Sequence, residues 1–151
     1  MSGVDRLVIV QARRSPVPRE PERSAPLAES AKRQKRILLV EDDEAIRDSL
    51  AELLQSDGYA VAAVDNGLAA LEKLRWGMRP SLILLDLRMP VMTGWEFRAE
   101  LQKVPVLADI PVVAMTTGRW KPDDLKQFAE QVEKPLNLEA LRAVVSRYCR
   151  T

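Results

Sequence analysis

Histidine is absent from the 151 residues of this chain. Its absence removes the common zinc sites, Ser-His-Asp and Cys-His catalysis, and any role as a phosphohistidine carrier. Cysteine occurs once, as Cys149, so no intrachain disulfide can form and a cysteine-cluster metal site is excluded. No apolar run approaches the roughly 20 residues that a membrane-spanning helix needs. The short run Leu7-Val8-Ile9-Val10 is too brief for a secretory signal core. A soluble, cytoplasmic protein is expected, and its chemistry must run on carboxylates, lysine, threonine and hard metal ions.

What is present divides unevenly. The net charge of +1 sums two unlike parts: residues 1–36 hold nine Lys/Arg against four Asp/Glu, and residues 37–151 hold 14 against 18. Within the basic part, Pro16, Pro18, Pro21 and Pro26 interrupt a stretch with too few apolar residues to bury a core. Residues 1–35 therefore read as a basic, Pro/Arg-rich, disordered extension, with Leu7–Val10 as a candidate added edge strand. That extension lacks the aromatics or defined helix of a nucleic-acid-binding arm. Residues 36–151 read as one domain.

In that domain the hydrophobic pattern alternates between two kinds of segment. Ile37-Leu38-Leu39-Val40 is continuously apolar, as a strand buried on both faces must be. Ile46, Leu50, Leu53 and Leu54 then recur at helical spacing, with Asp43 or Glu44 as start cap and Gly58 as end cap. Tyr59–Val64 reads as a strand, Leu68–Leu74 as a short helix, and Leu82–Leu85 as a strand closed by Asp86. Trp95–Lys103 reads as a helix and Ile110–Met115 as the fourth strand. Asp123–Gln131 looks helical, Val132-Glu133 leaves little for a fifth strand, and Leu138–Tyr148 is an amphipathic helix. Alternating strands and helices, with continuous rather than alternating strands, specify an α/β doubly wound parallel sheet covered on both faces.

In such folds the ligand site lies at the carboxyl ends of the strands. Strand one ends in Glu41-Asp42-Asp43-Glu44, strand three in Asp86, strand four in Thr116-Thr117, and the short fifth strand in Lys134-Pro135. Crowded carboxylates repel one another unless a cation lies among them. With oxygen donors only, that cation is hard: magnesium, with manganese or calcium as substitutes. Glu41, Asp42, Asp86 and the backbone carbonyl of Arg88 are the candidate ligands. Beside the ion, Thr116 can donate to a small dianion such as a phosphoryl group, Lys134 can neutralise it, and a carboxylate can serve as nucleophile.

The segments Val40-Glu41-Asp42-Asp43, Leu84–Gly94, Ala114-Met115-Thr116-Thr117 and Glu133-Lys134-Pro135-Leu136 resemble the receiver domain of bacterial two-component response regulators. The resemblance covers nearly all of residues 36–151 and implies a flavodoxin-like five-stranded sheet of order 2-1-3-4-5. It implies that Asp86 is the phosphoacceptor, attacking the phosphohistidine of a sensor histidine kinase or phosphotransfer protein. It further implies that Asp42 binds magnesium with help from Glu41, that Thr116 contacts the phosphoryl group and that Lys134 pairs with it. Such a protein is not an enzyme beyond its own phosphorylation and dephosphorylation. Asp86 and Thr116 stand thirty residues apart, as the family has them.

Three features depart from the family pattern. Only eighteen residues separate Thr116 from Lys134, so the fourth helix and fifth strand are expected to be shortened or displaced. Gln131 occupies the position, three before the lysine, where the family commonly has Tyr or Phe. Thr117 is bulkier than the usual Ala or Ser and is expected to crowd access to Asp86. All three departures leave the phosphorylation chemistry alone and fall on the surface by which receivers report their state.

With Thr151 closing the expected fifth helix, the sequence reads as a stand-alone receiver that signals by contact with a downstream protein target, without DNA binding or membrane insertion, as a monomer or weak homodimer. Trp76, Trp95 and Trp120 are expected on the core or helix faces, Trp120 being the candidate exposed contact. Haloacid-dehalogenase-type phosphatases share the Asp nucleophile but need a second Asp two residues on, where this chain has Arg88. A Gly-rich nucleotide-binding loop is missing. The remaining alternative is a receiver-like docking module that works without phosphorylation.

Overall fold

The computed structural model describes residues 35–118 and 120–149. The expectations for residues 1–34, including the Leu7–Val10 strand, lie outside the described residues. Five strands form one parallel sheet: β1 (Arg36–Val40), β2 (Ala60–Val64), β3 (Leu82–Asp86), β4 (Val112–Thr116) and β5 (Glu130–Glu133), in the order β2-β1-β3-β4-β5. Every neighbouring pair is parallel, with Leu39 opposite Ala63 and Leu84, and Ala114 opposite Leu85 and Gln131.

Among the described residues the helices are α1 (Glu44–Ser56), α2 (Gly67–Arg75), α3 (Gly94–Gln102), α4 (Pro105–Ala108), α5 (Pro122–Leu125) and α6 (Leu138–Tyr148). The uninterrupted apolar runs follow from what each face meets. Ile37, Leu39, Leu82, Leu84, Val113 and Met115 pack under α1 and α6, against Leu50, Leu54, Leu141 and Val145. Their sequence neighbours Leu38, Val40, Ile83, Leu85 and Ala114 point the other way, into Ala70, Leu71, Leu74, Phe97 and Leu101 of α2 and α3. A polar residue at either parity would be buried, so the central strands carry none before their ends.

Local signals act as their chemistry dictates. Asp43 caps α1 by accepting the Ile46 amide at 3.0 Å, and Gly58 follows that helix at φ +100°, where a Cβ would be strained. Thr93 and Glu96 form a reciprocal capping box at the start of α3.

The last third is shortened, as the eighteen-residue spacing from Thr116 to Lys134 predicts, but its helix and strand fall elsewhere than the sequence pattern places them. The pattern predicts a helix over residues 123–131, but the helix there is a single turn, Pro122–Leu125, and β5 begins at Glu130. The Ala129 amide already donates to the Val112 carbonyl at 2.8 Å, because buried Phe128 and Val132 draw the chain onto the edge of the sheet. Gln131 and Glu133 face solvent on either side of Val132, as alternate residues of an edge strand can. The turn α4 was not expected; it is opened by Pro105 and fixed by buried Leu107. Trp76 is not on a packed face either: it is 86% exposed at the end of α2. Among the described residues no helix is long and apolar enough to cross a membrane.

Candidate functional site

β1 and β3 are sheet neighbours whose following crossovers leave to opposite faces, so a crevice opens between their carboxyl ends. Glu41 and Asp42 follow β1 directly, and Asp86 is the last residue of β3. One carboxylate oxygen from each lies within 4.8 Å of the others. Glu41 is fully buried and Asp86 nearly so, while Asp42 is exposed at the mouth. Thr116, at the end of β4, is buried beside them in the sheet.

Lys134, next after β5, reaches back across the rim. Its Nζ donates to Glu41 Oε1 at 2.7 Å and sits 3.4 Å from Asp86 Oδ2. The backbone anchors this placement, since the Lys134 amide donates to the Thr116 carbonyl at 2.7 Å. Glu41 Oε2 accepts the Asp43 amide at 3.1 Å, and the Arg47 guanidinium donates to the Glu41 carbonyl oxygen. Asp86 Oδ1 accepts the Arg88 amide at 3.0 Å. The structure thus brings together all the carboxylates, the threonine and the lysine expected from sequence, and Arg88 contributes its amide as the observed polar contact.

The electrostatics follow from one ammonium shared between two buried carboxyl groups. Burial is the main cause that pushes Asp86 up to about 7, with the Glu41 charge adding to it and the Arg88 amide and Lys134 opposing it. Burial pulls the Lys134 ammonium down, but the Glu41 hydrogen bond and the Asp86 and Glu41 charges outweigh it and hold lysine above its ordinary value. A set of oxygen donors this close, with an excess of negative charge, fits a hard divalent cation.

The loop from Arg88 to Thr93, which leaves β3 at this crevice, is tightly drawn. Val91 has φ +75°, and the Met92 amide closes on the Pro90 carbonyl at 2.8 Å, a strained γ-turn for a β-branched residue. Gly94 opens α3 so close to the chain that a Cβ would stand 2.8 Å from the Leu87 Cα.

Two features of the rim were not evident from sequence. The Thr116 hydroxyl donates to Gln131 Oε1 at 3.4 Å, so the residue in place of the family's aromatic touches a site side chain. The Arg88 guanidinium stands over the Trp120 ring, 4.9 Å from its centroid. Trp120 is half-buried against Trp95 rather than standing free as an exposed contact, and Thr117 is itself exposed, with its carbonyl accepting Trp120 Nε1. A cation–π pair thirty-two residues apart leaves no periodic trace in a sequence.

Comparison with known proteins agrees with this geometry. The family model described as the response regulator receiver domain matches residues 37–146. The polar-differentiation response regulator DivK of Brucella anthropi is 36% identical over 118 residues, 76% of this chain and 95% of that protein. The sensor histidine kinase CheAY of Helicobacter pylori is 31% identical over 116 residues, 74% of this chain, which spans only 14% of that protein's length. Among solved structures, the chemotaxis response regulator CheY4 of Vibrio cholerae superposes with a TM-score of 0.69 at 28% identity, covering 76% of this chain and 98% of that one. The receiver domain of a sensor histidine kinase of Pseudomonas aeruginosa, described with magnesium coordinated in its active-site cleft, gives 0.70 at 27% identity, covering 77% of this chain and 98% of that one. With its sheet order, its acidic crevice at the switch point and these matches, the chain belongs to the response regulator receiver family.

Proposed function

We propose that the chain accepts a phosphoryl group on Asp86 from the phosphohistidine of a sensor histidine kinase or phosphotransfer protein, and passes the signal on by contact with a downstream protein. The observation that carries this reading is the convergence of Glu41, Asp42, Asp86 and Lys134 at one crevice, with oxygen atoms and an ammonium spaced to hold a metal and a dianion together. In the reaction an Asp86 carboxylate oxygen attacks phosphorus, the P–O bond forms, and the P–N bond to the donor breaks. The electron pair leaves on the imidazole nitrogen, which takes up a proton.

Glu41, Asp42, Asp86 and the Arg88 carbonyl would hold magnesium, as the resemblance implies and as the described Pseudomonas aeruginosa receiver supports. A divalent cation supplies charge neutralisation for the transferring phosphoryl oxygens. Lys134 would move its ammonium from Glu41 toward the new dianion, and Thr116 would exchange Gln131 for a phosphoryl oxygen. The donor must seat its phosphohistidine beside Asp86. An apolar groove of about 350 Å³ between α1 and the β5–α6 loop, lined by Ala45, Ile46, Leu50, Lys134, Pro135 and Leu136, suits a helix of that donor because Lys134 belongs to both groove and site.

Residues 1–35 are read as a separate basic extension and residues 36–151 as the receiver, working in the cytoplasm. The second reading, a docking module independent of phosphate, draws on Gln131 and the one-turn α5. Intact mass after incubation with phosphoramidate separates the two. One phosphoryl addition that requires magnesium and is absent in Asp86→Asn is expected. No addition, where a control receiver reacts, refutes phosphorylation and supports the docking module.

A further inference from the structure

Arg88 occupies an unusual resting place. Its amide is bonded to Asp86 Oδ1, so its backbone is fixed against the acceptor carboxylate. Its side chain is exposed, and among the described residues it makes no ion pair; the guanidinium lies instead on the Trp120 ring at 4.9 Å. Trp120 is in turn packed on Trp95 with ring centroids 4.9 Å apart. Both indoles are tied to the β4–β5 connection: Trp120 Nε1 donates to the Thr117 carbonyl at 3.0 Å, and Trp95 Nε1 to the Asp124 carbonyl in α5 at 2.8 Å. A continuous chain of contacts therefore runs from the acceptor carboxylate through Arg88 and two indoles to α5.

A guanidinium on a ring face keeps its five N–H donors largely free, and its fork geometry matches a phosphoryl group better than it matches an indole. We propose that Arg88 is a ligand of the phosphoryl group on Asp86, whose guanidinium exchanges the Trp120 face for phosphoryl oxygens, and that this departure reports the state of the site to α5. The proposal rests on Asp86 being the phosphoacceptor. It supplies a route from site to surface that Gln131, lacking a ring, cannot supply. Bound there, Arg88 also covers the phosphorus from the solvent side and slows attack by water.

The test uses the full chain with Trp76→Phe as background, which removes the exposed indole, and phosphoramidate with magnesium as the donor. Intact mass follows adduct formation and decay, and tryptophan emission follows the indole pair. The background chain should change its emission on phosphorylation. Arg88→Ala, which keeps the backbone amide and carbonyl, should lose whatever adduct it forms roughly tenfold faster, as expected for a lost charge-assisted contact, and should lose the emission change. Trp120→Leu should lose the emission change and keep the adduct at least as long as the background does. Arg88→Lys, a point charge without the fork, should fall between. Equal adduct lifetimes in the background and Arg88→Ala, with the emission change intact, overturn this proposal alone. No adduct on any chain overturns it together with the assignment of Asp86.

Discussion

Replacing Asp86 by asparagine keeps the shape of the side chain and deletes its charge, so the pair measures what that charge costs the fold. The carboxyl is buried beside Glu41, with one ammonium between them, and titrates at about 7. In the unfolded chain it titrates near 3.9. The folded value is the higher one, so the protonated group stabilises the fold below about pH 4, and that contribution is lost as pH rises through about 7. Linkage gives a cost of roughly 1–2 kcal/mol at pH 5 and roughly 4 kcal/mol at pH 8 relative to an uncharged side chain. Asp86→Asn has no such titration. Its stability advantage over the wild type should therefore grow by roughly 2–3 kcal/mol between pH 5 and pH 8. For a domain of this size that is about 10 °C in melting temperature. Paired thermal melts in EDTA across this range read the difference directly, and magnesium should narrow it at pH 8 by engaging the ionised carboxylates. A difference that stays constant with pH, or an asparagine variant less stable than the wild type at pH 8, refutes the reasoning.

Other perturbations have equally definite outcomes. Lys134→Met leaves fully buried Glu41 without its 2.7 Å partner; it should cost about 3–5 kcal/mol by urea denaturation at pH 7 and abolish or greatly slow phosphorylation. Gly94→Ala forces a methyl against the Leu87 backbone, and denaturation should show a loss of about 1–3 kcal/mol. Leu84→Ala empties a site at the centre of the sheet under α1 and α6, at a cost of about 2–5 kcal/mol in the same assay. Trp76→Ala, at an 86% exposed position, should leave the melting temperature within about 2 °C of wild type, since surface changes fall within roughly 0.5 kcal/mol.

The elements that could be read from sequence are those whose burial is settled locally. β1, β3 and β4 are continuous apolar runs because both sheet faces are covered. Runs so short, bounded by polar residues, suit a buried strand and fall below the length of an ordinary helix. The caps at Asp43 and Gly58 are local in the same sense. The β4–β5 connection was legible only in its shortness, not in where its helix ends and its strand begins. Residues 123–131 have helix-forming composition, yet Phe128 and Val132 are buried on the sheet edge, and only α5 remains helical. That outcome depends on the pairing of Glu130 with Val113, which no window of the sequence contains.

By itself, the sequence determined the order of the strands and the longer helices, the doubly wound class and the acidic, threonine and lysine residues at the strand ends. Those properties follow from hydrophobic period and from chain position, both of which act over a few residues. The tertiary structure alone decided that Lys134 bonds Glu41 while standing 3.4 Å from Asp86, that Gln131 meets Thr116, and that Arg88 rests on Trp120. Each of those contacts joins residues from different strands or loops. Their separation is set by sheet order and crossover length, so it exists only once the chain has folded.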